Sequence, residues 1–199
     1  MSKTAKFTEM TKGTAEDYVP IVEAAMVHTS ELPQRILEHL EMLKGDHGGF
    51  AVDRYTHCLQ TATRAYNDGA DIDWIVGTLL HDIGDGLAPQ NHDRFSAEVI
   101  RPYVREEVTW VVEHHGIFQM IYYAHHYGWD KNARDKFKDN IYFQTCADFC
   151  ERWDQKSFDP EYRNKDLDFF KPMIKEIFNR PPYKEEFIKK SEVLGLPKI

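Results

Sequence analysis

The sequence predicts an all-α protein on three observations. Apolar residues recur at helical spacing along most of the chain, capping and breaking residues punctuate those stretches, and no segment alternates like a strand. The segment Thr14-Ala-Glu-Asp17 has the form of a capping box ahead of a helix near 15–26. Leu37, Leu40 and Leu43 place a second helix near 31–44, and Gly45, Gly48 and Gly49 break the chain after it. Over 52–68, Val52, Tyr55, Leu59, Ala62 and Tyr66 form one stripe, with His57 on the other side beside Arg54, Thr61 and Arg64; Gly69 closes the helix. The run Ile72 to Leu80 reads as a buried helix that delivers His81 and Asp82 at its C-terminal end, before Gly84, Gly86 and Pro89 force a loop. A helix beginning near Asp93 leaves His92 at the end of that loop. From Val104 onward, Val108, Val111, His115, Gln119, Tyr122 and His126 share a face, with Gly116 as a point of bending. A helix over 139–155 carries Cys146, Trp153 and Asp154, SFDPEYR is a turn, and helices near 166–178 and 183–193 complete the chain.

A length of 199 residues fits a single domain with a sizeable core. No apolar run reaches the roughly 18 residues of a membrane helix, and the polar start MSKTAKFTEMTKGTAEDY lacks the apolar centre of a secretory signal. The expectation is a cytoplasmic protein with no membrane partner. A net charge of −8 argues against a nucleic-acid partner, which needs clustered Lys and Arg. It leaves room for a small anion held locally by metal ions or buried basic groups. Cys58, Cys146 and Cys150 have neither zinc-ribbon nor disulfide-framework spacing and are expected as ordinary buried thiols.

The pair His81-Asp82 carries the most chemistry. A buried apolar helix ending in two polar groups must satisfy them, because an unpaired buried charge is costly, and a metal ion satisfies both at once. His57, His92, His115 and Asp154 flank the pair as further candidate ligands, too many for one iron or zinc ion. An imidazole and carboxylate set without thiolate suits iron, manganese, zinc or nickel, and a carboxylate can bridge two ions. His28, His39, His47, His114, His125 and His126 are expected to be structural or surface residues.

His57, then His81-Asp82, then Asp154, resembles the H…HD…D signature of the HD-domain superfamily, and His92 and His115 resemble the two extra histidines of its dinuclear members. The resemblance implies an HD-domain helical bundle spanning 1–199, with a core near 50–160 and helical extensions at both ends. The stretches LLHDIGD and EHHGIFQ are similar, more closely, to the mixed-valent diiron oxygenases of the PhnZ and TmpB type, which cleave organophosphonates. That similarity implies that Asp82 bridges two iron ions in an Fe(II)/Fe(III) pair. His57, His81 and Asp154 would complete one ion, while His92 and His115 hold the other, leaving it open to substrate and O2. Asp82, His92 and His115 are then the catalytic ligands, and the substrate is a 1-hydroxyalkylphosphonate whose C–P bond is cleaved.

Around this centre the sequence departs from the member of that group that takes a primary amine. Asp85 stands where that enzyme has a His, Gln119 where it has a Lys, and His47 and Phe50 correspond to a Tyr and a Glu. Loss of a Lys and gain of aromatic groups suit a quaternary ammonium, held over ring faces. The expected substrate is therefore (R)-1-hydroxy-2-(trimethylammonio)ethylphosphonate, giving glycine betaine and phosphate. Phe50, Phe118, Tyr122, Tyr123 and Trp153 are the candidate rings. Gln119, Arg54, Lys156 and Arg163 are candidates for the anion, and Asp85 either meets substrate or orients a ligating histidine. The competing reading is a metal-dependent phosphohydrolase acting on a phosphate ester or nucleotide.

Overall fold

The computed structural model describes residues 4–198, all of whose regular structure is helical. The helices are α1 (Ala15–Ser30), α2 (Leu32–Glu41), α3 (Arg54–Asn67), α4 (Ile72–Leu79), α5 (His92–Ile100), α6 (Glu106–Tyr123), α7 (Phe143–Arg152), α8 (Leu167–Phe178) and the single turn α9 (Glu185–Ile188). Short acidic residues start several of them. Asp53, Asp71 and Asp166 each accept a hydrogen bond from a backbone N–H three residues on, opening α3, α4 and α8. At α1 the Thr14 N–H donates to the Asp17 carboxylate, as the capping pattern predicts.

Helix α4 is the axis of the bundle and packs against α3, α6 and α8. Trp74, Val76, Leu79 and Leu80 are all at most 1% exposed, and Trp74 meets Trp153 edge-on at 5.9 Å. No helix among the described residues is long and apolar enough to cross a membrane. The three cysteines are buried and free.

The helix bounds differ from expectation at four places. Gly116 does not bend α6, which runs unbroken to Tyr123. His126 lies beyond α6, exposed in a 3-10 turn. Asp154 is not in α7 but opens the 3-10 turn 154–156, after Trp153, whose indole donates to Asp68. The last helix stops at Ile188, where Lys189 turns to the left-handed region, and Glu106 and Glu107 accept the N–H groups of Ser191, Leu194 and Gly195 in the segment that follows.

Gly77 is where α4 meets α6 most tightly, since a Cβ there would collide with Val108 Cγ1. In an open helix, replacing Gly by Ala stabilises by up to about 1 kcal/mol. Here Gly77→Ala is expected to destabilise by about 1–3 kcal/mol through overpacking, seen as a lower denaturation midpoint. Adding Val108→Ala should recover part of that loss.

Candidate metal centre

Five separate segments deliver six side chains to one place. His57 comes from the first turns of α3, His81 and Asp82 from the turn that ends α4, and His92 is the first residue of α5. His115 comes from the middle of α6, and Asp154 opens the turn after α7. His57, His81, His115 and Asp154 are each at most 4% exposed.

The two oxygens of Asp82 point in different directions. Oδ2 lies 3.4 Å from the Nε2 atoms of both His57 and His81. Oδ1 lies 3.0 Å from Nε2 of His115 and 3.4 Å from Nε2 of His92. Asp154 Oδ1 joins the first pair, 3.1 Å from His57 and 3.5 Å from His81, and its Oδ2 is buried without a hydrogen-bond partner. The donor atoms of His57, His81 and Asp154 all lie within 4.8 Å of one another, as do those of His81, Asp82 and His115.

The far side of each ring fixes its tautomer. Nδ1 of His57 donates to the Ser157 carbonyl at 2.9 Å, that of His81 to Thr78 at 2.7 Å, and that of His115 to Val112 at 2.7 Å. With Nδ1 protonated, the neutral ring turns its Nε2 lone pair inward. His57 and His81 bring those nitrogens to 3.1 Å from one another, a repulsive approach unless a cation stands between them or a proton sits on one.

The electrostatics agree. Burial works against the charged form of His115, but the hydrogen bond and charge of Asp82 outweigh it, raising the imidazole to about 10. His57 is raised in the same way against its burial, chiefly by Asp154. Burial would raise Asp82 and Asp154, yet the neighbouring imidazoles, His81 foremost, hold both well below the usual carboxylate range. The cluster is thus a buried, anion-rich set of lone pairs that favours positive charge. Its donor set and the orphaned Asp154 oxygen fit divalent or trivalent metal ions.

A cavity of about 470 Å³ opens beside the centre. Of the candidate substrate residues, Phe50, Tyr122, Tyr123, Arg54, Asp85 and Gln119 line it, and so does Phe158. Phe158 stacks between Phe50 at 4.7 Å and the His57 ring at 4.4 Å. It lies in the segment read as a turn, where a single aromatic residue gives no periodic signal.

Several candidates fall elsewhere. Phe118 is fully buried against Phe143, Phe137 and Trp110, and Trp153 is fully buried with its indole on Asp68; neither lines the cavity. Arg163 is exposed and outside the cavity wall, as is Lys156. Side-chain direction decides these cases: Phe118, a turn beyond His115, projects into the aromatic cluster between α6 and α7 instead of toward the opening. His114 stacks on Trp110 at 4.1 Å, and His39 bonds the Ile83 carbonyl at 3.1 Å, so both are structural.

Arg54 lines the cavity but is held by two carboxylates, Asp85 and Asp46, the latter at 3.0 Å. Asp85 in turn lies 3.2 Å from Nδ1 of His92. Nδ1 of His92 thus faces a carboxylate as well as the Pro89 carbonyl at 3.4 Å, where the other three imidazoles are held by peptide carbonyls alone.

These features define an all-helical protein with a buried imidazole and carboxylate centre suited to metal. The family model of the HD domain matches residues 54–161, more than half of the 199 residues, and the chain belongs to that family. HD-domain proteins are typically metal-dependent enzymes, and the buried His and Asp groups here could hold the metal. Comparison with curated proteins gives no match.

Two outcomes are expected. Asp85→Asn should weaken metal held through His92 about 10–100-fold, the usual cost of losing a carboxylate behind a ligating histidine, measured by metal content after dialysis against a graded chelator. Unchanged metal retention would remove Asp85 from this role. For the metal-free protein, the raised His115 contributes stability that is complete below the unfolded value near 6.5 and is lost as pH rises through about 10. Thermal unfolding of the metal-free form should therefore fall between pH 7 and 10, a loss that metal loading should suppress.

Proposed function

We propose that this protein is a dinuclear iron oxygenase that cleaves the C–P bond of a 1-hydroxyalkylphosphonate. The observation that carries this reading is the set formed by His92, His115 and Oδ1 of Asp82 beside the cavity. Two imidazoles and one carboxylate with positions left open is the ligand set of non-heme iron oxygenases. The other side, with His57, His81, Asp154 and Oδ2 of Asp82, is more completely supplied. Such unequal filling suits one ion that is held and a second that meets substrate and O2. When bound, the metal pair would supply Lewis acidity and redox equivalents for dioxygen chemistry.

The chain's own residues then have defined tasks. Phe50, Tyr122, Tyr123 and Phe158 present ring faces, and the wall contains no lysine. Its one arginine, Arg54, is committed to Asp85 and Asp46. This favours a bulky quaternary ammonium held over aromatic rings, as in (R)-1-hydroxy-2-(trimethylammonio)ethylphosphonate. Gln119, one turn beyond His115, donates a hydrogen bond to the phosphonate, whose charge is otherwise met at the metal site. The overall reaction balances as one hydroxyphosphonate plus one O2 giving one carboxylic acid, glycine betaine, and one phosphate.

Membership of the HD family supports a second reading, a metal-dependent phosphohydrolase in which a metal-bound water attacks a phosphate ester. Oxygen separates the two. Protein purified anaerobically with ferrous iron, partly oxidised and given 1-hydroxyphosphonates, is expected to release phosphate with matching oxygen uptake and to show a mixed-valent EPR signal. Phosphate release that persists unchanged without oxygen would sink the oxygenase reading in favour of hydrolysis. Phe158→Ala should lower kcat/KM for the trimethylammonio substrate by about tenfold, consistent with one cation–π contact of 1–2 kcal/mol, and should lower it less for the primary amine.

A further inference from the structure

A second cavity, of about 230 Å³, adjoins the turn that carries Asp154. Asp154 and Gln155 line the metal-side cavity, whereas Lys156, the last residue of the same turn, lines this one. The other walls are Arg64 and Asn67 of α3, Asp68 at the end of that helix, Arg152 at the end of α7, and Tyr162. No residue lines both cavities.

On a chain of net charge −8, a wall with three cations and one carboxylate inverts the local charge. That carboxylate is already engaged. Asp68 Oδ2 accepts Nη2 of Arg152 at 2.8 Å and the Trp153 indole at 2.7 Å. Of the three cations, Arg152 alone is ion-paired among the described residues. Arg64 donates from Nη2 to the Lys156 carbonyl at 2.8 Å and lies over the Tyr162 ring at 3.9 Å, neither of which carries a negative charge. The Nε groups of Arg64 and Arg152 are both buried without an acceptor. Two cations therefore stand side by side with neither charge balanced, in a cluster with more donors than acceptors.

We propose that Arg64, Lys156 and Arg152 form a second site, whose ligand is inorganic phosphate. A dianion with several acceptor oxygens balances the two unpaired cations and takes charge-assisted hydrogen bonds from both. The dimensions favour a bare ion. The cavity is smaller than the roughly 300 Å³ at which pockets for organic ligands begin, and the Arg64 guanidinium occupies a face of Tyr162 on which a nucleobase would stack. Phosphate held here ties the end of the turn 154–156 to α3. Ser157, the next residue, accepts Nδ1 of His57, and Asp154 opens the turn, so the anion steadies from behind the segment that supports two candidate ligands. The site is independent of the reaction at the metal centre, with which it shares no side chain.

Equilibrium dialysis of the metal-loaded full chain against labelled inorganic phosphate tests it. Phosphate at the metal centre and phosphate here are counted together and then separated by substitution. Arg64→Gln with Lys156→Gln is expected to bind one equivalent fewer per chain than wild type, with metal content unchanged. Lys156→Gln alone alters an exposed side chain and leaves the core intact. It should weaken the same equivalent by about tenfold, as expected for loss of one hydrogen bond to a charged group, and Lys156→Arg should keep it. AMP should bind this site more weakly than phosphate. Amide hydrogen exchange over residues 154–157 should slow when phosphate is added to wild type and stay unchanged in the double variant. Equal phosphate binding by wild type and the double variant, an unaltered affinity in Lys156→Gln, or tighter binding of AMP would overturn the proposal. So would exchange over 154–157 that phosphate leaves unaltered in wild type or slows equally in the double variant.

Discussion

The carboxylate of Asp82, divided between two pairs of imidazoles, is the constraint on which the rest of the structure depends. Its oxygens can face His57 and His81 on one side and His92 and His115 on the other only if α3, α4, α5 and α6 all converge on the turn that ends α4. Gly77 and Gly84 show how closely that convergence is drawn. A Cβ at Gly84 would sit 2.7 Å from the His92 carbonyl oxygen, so the turn carrying Asp82 lies directly on the start of α5. Bulk at Gly84 would press on His92 itself, whereas bulk at Gly77 would press on Val108.

Burying four imidazoles and two carboxylates costs more than apolar packing recovers unless each group is paired. The chain meets this in two layers. Peptide carbonyls fix three rings from behind, and the carboxylates and inward lone pairs leave a space suited to positive charge. The N-terminal end of α4 carries a separate ionic cluster, where Asp73 receives Arg105 and Arg180. A short apolar helix is thus fastened at both ends by charge, which holds its C-terminal turn in place without relying on length.

His92 stands apart from the other imidazoles because Asp85 holds it and Arg54 holds Asp85. Arg54 also reaches Asp46, at the start of the segment that brings His47, Phe50 and Val52 to the cavity. The loop that shapes the opening and the candidate ligand His92 are therefore joined through a single guanidinium and Asp85. Such a connection uses basic charge for architecture, and it leaves the wall dominated by aromatic faces and by Gln119.

The amino-acid sequence by itself determined the helical class, the start of most helices, and the placement of His81-Asp82 at the end of a buried helix. These follow from periodicity and capping, which act over a few residues and need no distant partner. The six candidate ligands were also visible, because their residue types and order follow a family pattern. Tertiary structure alone decided which neighbours face the cavity. Phe118 shares a helix with His115 yet packs into the core, while Phe158, in a turn with no pattern, stacks on His57. Asp85 and Arg54 are far apart in the chain and become partners only when α3 and the turn after α4 come together. On α3 the unbroken run from His57 to Thr63 is buried on all sides, so a stripe of apolar residues could not say which face held the site. Side-chain direction is set by contacts across the bundle, and those contacts join residues too far apart in sequence for any local pattern to record.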